Sequence, residues 1–386
     1  MKKTRAKPLH PFMRSAGILG CLTTAFLGAF AIARPEILWS LHVDLVPADG
    51  LALLIAACIG GVFLTRGLWR SLQRFPAWRA VALLLAPFVA AGMIGLRTLH
   101  TIVADEDAGR VTAIVDSADP VHIAFAGDVG RASRTESRIF ARIADLSAAH
   151  PIASLFLAGD NIYGNDPYAG AYAKRLGRPL APIFAANVPV HAVLGSHDIT
   201  SGYAHEETNE PRLGMNDHRY YEWTTKDSRC TVFALDSERL PTDPAQYRWL
   251  AGALKTCKSP NIIIFTHGPL EASDVLHGGD RELARLLMPL FKTTDVDLLI
   301  SGKNHIYERR HSANGHLAFV TVGSSGKVSH PAWPEDSLRD TFYTESGVFL
   351  DISIAATKIT GVAMTSDGRQ VDHFELESDR VAHSPG

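Results

Sequence analysis

The sequence carries no excess of charge of either sign: 38 Lys and Arg stand against 40 Asp and Glu, for a formal net charge of -2. That balance argues against a nucleic-acid partner held by phosphate neutralisation. No internal repeat or low-complexity segment is present, so no solenoid or tract of biased composition organises the chain. Cysteine is scarce, with four residues in 386, too few for a disulfide-built scaffold. Cys21 and Cys58 lie inside apolar runs, where a thiol behaves as a small hydrophobe. Cys230 stands at the threshold of a strand (CTVFALD) and Cys257 follows a helix expected over 246–255. In an oxidising compartment these two could pair. Two reduced thiols are the alternative, because sequence alone does not establish the geometry a disulfide needs.

What the chain does have, in residues 1–99, is apolar length. The runs 16–33, 50–65 and 80–96 are uncharged and show no polar face. The middle run recruits Leu68 and Trp69 while Arg66 snorkels, giving three expected transmembrane helices at about 16–33, 50–69 and 80–96. Lys2, Lys3, Arg5, Lys7 and Arg14 precede the first run, and Arg66, Arg70, Arg74 and Arg79 separate the second from the third. The positive-inside rule places the N-terminus in the cytoplasm. The chain after residue 100 then faces the periplasm or exterior, tethered to the cytoplasmic membrane. A cleaved signal peptide is the rival reading of the first run, because Ala31, Ile32 and Ala33 resemble a cleavage site, although Pro35 disfavours it.

Residues 100–119 form an Asp-rich linker (ADEDAG), and the domain expected over 120–386 starts near Val121. Apolar strands (VHIAFAG, SLFLAGD, PVHAVLG, CTVFALD, NIIIFTH, DLLISG) alternate with helical stretches, one over about 135–149 and another near Tyr172. This predicts an α/β domain with strands buried on both faces. After His305 a run of strands (HIYERR, LAFVTVG, GVFLDISI, KITGVAMT) reads as closing a second sheet.

Five strings fall where strands should end: AGDVG (126–130), GDNIY (159–163), GSHD (195–198), FTHGP (265–269) and GKNHIYE (302–308). Carboxylates, imidazoles and neutral oxygens delivered at strand ends suit hard cations. One Gly-Asp at a strand end is weak, being common as a turn or cap, and a lone His is more often structural. The ordered series resembles the metal loops of the calcineurin-like metallophosphoesterases, and the Tyr of GDNIY resembles the purple acid phosphatase branch, especially its small tartrate-resistant form. The resemblance implies a four-layer αββα sandwich with the metal loops at one edge. It implies that Asp128, Tyr163 and His305 bind a first metal and that Asp160 bridges to a second. A phenolate from Tyr163 favours Fe(III), with Mn or Zn as alternatives.

Two positions depart from the family pattern, both at the second metal: Ser196 stands for Asn in GNHD, and Lys303 for the first His of GHxH. A protonated ammonium cannot ligate and repels a divalent ion. Of the second set Asp160 and His267 remain, with Ser196 a weaker ligand. The expected activity is hydrolysis of a phosphomonoester or phosphodiester by water activated on one intact metal site. His197 would protonate the leaving group, Lys303 would supply the charge of the missing ion, and His277, spaced as in the tartrate-resistant enzymes, is a further proton donor. A lipid-linked substrate suits a membrane tether. The alternative is a catalytically silent relative that keeps the fold for binding or assembly at the membrane.

Overall fold

The computed structural model describes residues 109–112 and 120–378, apart from 275, 314, 316 and 330–336. The three apolar runs lie outside the described residues. Among those described, no helix is long and apolar enough to cross a membrane.

The first strands are β1 (Gly109–Thr112), β2 (Val121–Ala126), β3 (Ile152–Ala158), β4 (Val190–Val193), β5 (Tyr221–Thr224), β6 (Cys230–Ala234) and β7 (Asn261–Phe265). They are followed by β8 (Leu298–Ser301), β9 (Tyr307–His311), β10 (Ala318–Val322), β11 (Arg339–Tyr343), β12 (Val348–Ile354), β13 (Lys358–Thr365) and β14 (Gln370–Glu377). They build an eight-stranded sheet in the order β1-β5-β6-β7-β8-β10-β9-β11 and a six-stranded sheet in the order β14-β13-β12-β2-β3-β4. β2, β3 and β4 pair in parallel, as do β6, β7 and β8, which suits their unbroken apolar runs.

The strands after His305 do not close one sheet, as the sequence suggests. β9 and β10 extend the eight-stranded sheet, while β12 and β13 join the other through an antiparallel β12-β2 ladder that pairs Leu350 with Phe125. Alternation along a strand marks its buried face but not its partner.

Between the sheets Phe125 meets Phe265 edge-on at 5.4 Å, and Phe156 meets Trp223 edge-on at 5.3 Å. Side chains of this kind, fully buried, each stabilise by about 1.5–3 kcal/mol. Of the longer helices, α1 (Arg134–Ala149) starts at a capping box: Ser133 Oγ accepts from Glu136 N at 3.0 Å while Glu136 Oε2 accepts from Ser133 N at 3.1 Å. Such a cap contributes about 1 kcal/mol. Helices α2 (Pro244–Thr256) and α3 (Arg281–Phe291) bury Leu250, Leu254, Leu283 and Leu287 in a second core with Phe233, Ile262, Ile264 and Leu299 of the eight-stranded sheet. The result is a mixed α/β sandwich. Cys230 and Cys257 are both free thiols.

Candidate metal centre

Parallel strands deliver their C-terminal ends to one edge, where β2, β3, β7 and β8 release the loops bearing Asp128, Asp160, His267 and Lys303. Three of these residues leave the allowed right-handed regions: Asp128 has φ 56°, Asp160 φ 51° and Lys303 φ 67°. Asp tolerates this conformation, whereas Lys adopts it at a cost of about 1 kcal/mol or more. What holds Lys303 there is its backbone N–H, which donates to Asp128 Oδ2 at 2.8 Å. Gly159, at φ 75°, lets the Asp160 loop pass under His267, since a Cβ there would lie 2.6 Å from His267 Nδ1.

One ligand atom each from Asp128, Asp160 and His267 lies within 4.8 Å of the others, and all three residues are buried. Tyr163 Oη donates to Asp128 Oδ1 at 3.1 Å, and His305 Nε2 lies 3.3 Å from the same oxygen. His267 Nδ1–H donates to the Ala158 carbonyl at 2.8 Å, which fixes the tautomer and leaves Nε2 with a free lone pair. That Nε2 is buried without a hydrogen bond, and although Asp160 Oδ1 is 3.4 Å away the contact lacks hydrogen-bond geometry.

The electrostatics point the same way. Burial pushes the Asp128 carboxyl up to about 8, opposed by His267. Burial first, then the charges of Asp128 and Asp160, push the Tyr163 phenol far above its ordinary range. His305 is lowered to about 4, by burial first and Lys327 second, so its imidazole is neutral and can ligate. Burial raises Asp160, but His267, the His197 N–H and the His197 ring outweigh it and hold the carboxyl below its usual value. Two buried carboxyls, a phenol and two imidazoles form a donor set that fits a hard metal ion.

The remaining sequence-predicted residues surround this cluster. Ser196 Oγ reaches Asp160 Oδ1 only at 3.5 Å, while the next residue's backbone N–H takes that oxygen at 2.8 Å. The His197 ring lies 4.4 Å from that of Tyr163, half exposed, with Nε2 4.0 Å from Asp160 Oδ2. His277 packs edge-on against His305 at 5.6 Å. Its pKa is lowered, by burial foremost and by His305, Lys303 and Lys327, with the charge of Asp274 opposing. Lys303 Nζ is engaged by Glu238 Oε1 at 3.1 Å.

Glu238, Arg131 and Lys327 are site residues that motif reading missed. Arg131 lies just beyond AGDVG and could have been noticed there; Glu238 and Lys327 come from loops after β6 and β10 that carry no string of their own. A support also escaped notice. Asn161 Nδ2 donates to Val193 O at 2.9 Å, to Asp198 Oδ2 at 3.3 Å and to Glu207 Oε2 at 3.0 Å. Asp198 also accepts the backbone N–H groups of Ile162 at 2.9 Å and Gly195 at 2.8 Å, locking the GDNIY loop to the GSHD loop.

Comparison with known proteins agrees with this geometry. Residues 121–307 match the sequence profile described as calcineurin-like phosphoesterase. Purple acid phosphatase 4 of Arabidopsis thaliana is 21% identical over 293 residues, covering 66% of this chain and 84% of its own length. Among solved structures, GAP50, described as the anchor in the inner membrane complex of Plasmodium, superposes with TM-score 0.58 at 18% identity over 68% of this chain and 90% of its own. Purple acid phosphatase PPD1 from yellow lupin gives TM-score 0.56 at 18% identity, over 68% of this chain and 54% of its own. The structural likenesses establish the fold alone. The matched profile makes residues 121–307 a calcineurin-like phosphoesterase domain, and over about two thirds of its length the chain is similar in sequence to purple acid phosphatases.

Proposed function

We propose that the chain is a metal-dependent phosphoester hydrolase that holds one ion tightly through Asp128, Asp160, Tyr163, His267 and His305. The observation that carries this reading is the buried, unpartnered His267 Nε2 facing two buried carboxyls. When bound, the ion supplies Lewis-acid polarisation of the phosphoryl group and acidifies water. Iron suits a set containing Tyr163, because the anionic oxygen of a phenolate stabilises a highly charged cation.

The chain's own groups do the rest. His197, half exposed and braced on the Tyr163 ring, is placed to give a proton to the leaving oxygen. His277, packed on the His305 ring, is placed to hydrogen-bond the phosphoryl group or to act as a further proton donor. Lys303 stands in sequence where the family pattern has a second-metal His, and its ion pair with Glu238 supports the reading that no second ion binds beside it. What remains of the family's second-metal set, Asp160 and His267, then serves the one ion, and Ser196 stays distant.

Anchoring by the apolar runs 16–33, 50–69 and 80–96, with the domain on the periplasmic or outer side, belongs to the same proposal and is supported by the sequence pattern alone. Resistance of the full chain to alkaline extraction from membranes supports it; release into the soluble fraction overturns it.

The test of the activity is metal content per chain, measured by elemental mass spectrometry and an absorption scan for a tyrosinate-to-iron band, with a panel of soluble and lipid-linked phosphoesters. About one ion per chain with turnover, both lost in Asp128→Ala, supports the proposal. Absence of bound metal under every loading condition selects the second reading, a silent relative serving binding or assembly. The Lys303–Glu238 pair at 3.1 Å, at the sequence position of a family metal ligand, favours that reading.

A further inference from the structure

Two positive charges beside the metal centre have no counter-charge among the described residues. Arg131 Cζ lies 5.2 Å and Lys327 Nζ 5.9 Å from the centroid of the same ring, that of Tyr163. Among the described residues, neither side chain has a hydrogen bond or an ion pair. Other ring-stacked arginines do: Arg212 pairs with Glu210, Arg309 with Asp340 and Asp372, and Arg369 with Glu345. Lys303, the cation that sequence reasoning singled out, is paired as well.

The ring that Arg131 and Lys327 share is that of the tyrosine whose Oη reaches Asp128, so both charges lie next to a side chain of the proposed metal centre. Lys327 is felt inside the site, since it contributes, after burial, to lowering both His305 and His277. Arg131 is exposed and Lys327 half-buried, which leaves both able to turn toward an incoming anion.

We propose that Arg131 and Lys327 form a clamp for the phosphoryl oxygens and make the site prefer a doubly charged phosphomonoester over a singly charged phosphodiester. This rests on reading the centre as a phosphoester site. Coulomb attraction scales with the charge of the anion, so losing one cation costs the dianion about twice the free energy it costs the monoanion. If neutralising either side chain costs about tenfold in dianion binding, the monoanion loses about threefold, the square root. The monoester-to-diester ratio then falls about threefold for each variant. Because both groups face solvent, the effect shrinks as salt rises.

The test uses the full chain, as wild type and as Lys327→Gln, Arg131→Gln, Lys327→Arg and Arg131→Lys. Inorganic phosphate binding is measured by calorimetry with and without metal, and kcat/KM is measured for an aryl phosphomonoester and the matching aryl methyl phosphodiester. The expected result is about tenfold weaker phosphate binding and about threefold lower preference for the monoester in each Gln variant, carried mainly by KM, with recovery in the charge-keeping variants. Unchanged phosphate affinity and preference in both Gln variants overturns the clamp and leaves the phosphoester reading intact. Equal losses for monoester and diester overturn the charge selection. If wild type turns over no phosphoester while the Gln variants still weaken phosphate binding, the clamp stands and the hydrolase reading fails.

Discussion

Replacing Gly195 by Ala should damage the site out of proportion to one methyl group. Gly195 lies where the chain leaves β4 and starts the one-turn helix Ser196–Thr200, directly against the Asp160 loop. An added Cβ would fall 2.2 Å from Asp160 N, 2.4 Å from Asp160 Oδ1 and 3.0 Å from Asp160 Cα. Relaxed contacts of carbon with such atoms are roughly 3.5 Å, so one loop has to retreat by about 1 Å. Neither is free to do so: Gly130 N–H donates to Asp160 O at 3.2 Å, and Asp198 ties Gly195 to Asn161 and Ile162. The backbone at Gly195, φ -107°, suits Ala, so the penalty is steric alone. Overpacking of this kind costs about 1–3 kcal/mol, which for a unit of this size lowers the unfolding temperature by about 3–10 °C. A shift of Asp160 by about 1 Å should also cost on the order of 100-fold in activity. Gly170→Ala is the matched control, because its Cβ meets nothing within 4 Å in the helix Tyr168–Tyr172; it should be neutral or stabilise by up to about 1 kcal/mol. Differential scanning fluorimetry and metal analysis of both variants decide the matter. An unfolding temperature and metal content for Gly195→Ala equal to wild type would refute the packing account of how Asp160 is placed.

His191 gives a pH prediction. Burial holds its pKa at about 4 against an ordinary 6.5, the Gly214 carbonyl opposing, so as pH falls the unfolded chain takes up the proton first. Stability fully present above pH 6.5 should therefore decline toward pH 4, by roughly 3 kcal/mol from this residue. His191→Gln should flatten that part of a urea-titrated stability profile, and an unchanged slope would assign the loss elsewhere. Asn161→Leu removes the amide shared by the buried Asp198 and Glu207 and should cost about 2–4 kcal/mol in urea unfolding; a loss below about 1 kcal/mol would mean that the carboxyls satisfy each other. Lys303→His combined with Ser196→Asn should add a second ion per chain by elemental mass spectrometry, and an unchanged count would sink the account of what Lys303 blocks.

Much of this was legible in order along the chain. Strand ends in the parallel part of each sheet are marked by unbroken apolar runs followed by Gly-Asp or a Thr-His pair, which is why Asp128, Asp160 and His267 could be picked out. Helix α1 was legible as a helical stretch over about 135–149, and its capping box at Ser133 emerged only with the structure. What stayed hidden has one physical character: it depends on partners distant in sequence. Nothing around Glu238 shows that it meets Lys303, 65 positions on. Nothing around Lys327 shows that it returns to Tyr163. The left-handed backbone at Lys303 is invisible because Lys does not ordinarily adopt it, and the short strands β1, β5 and β11 carry too few residues to display a period. The C-terminal strands were recognisable as strands, yet their division between two sheets is a property of pairing alone.

That division sets the order in which the protein can be completed as it is made. β2, whose end carries Asp128, is among the first strands of the domain to be synthesised, but one of its edges is covered by β12, about 230 residues later. Until β12 arrives, an apolar strand of the metal centre presents open backbone groups, the kind of surface that recruits other chains. Contacts so far apart in sequence also close slowly. A chain interrupted between β11 and β12 would contain all five metal-loop strings and still leave the Asp128 strand without its neighbour, so an intact motif list does not guarantee a usable site.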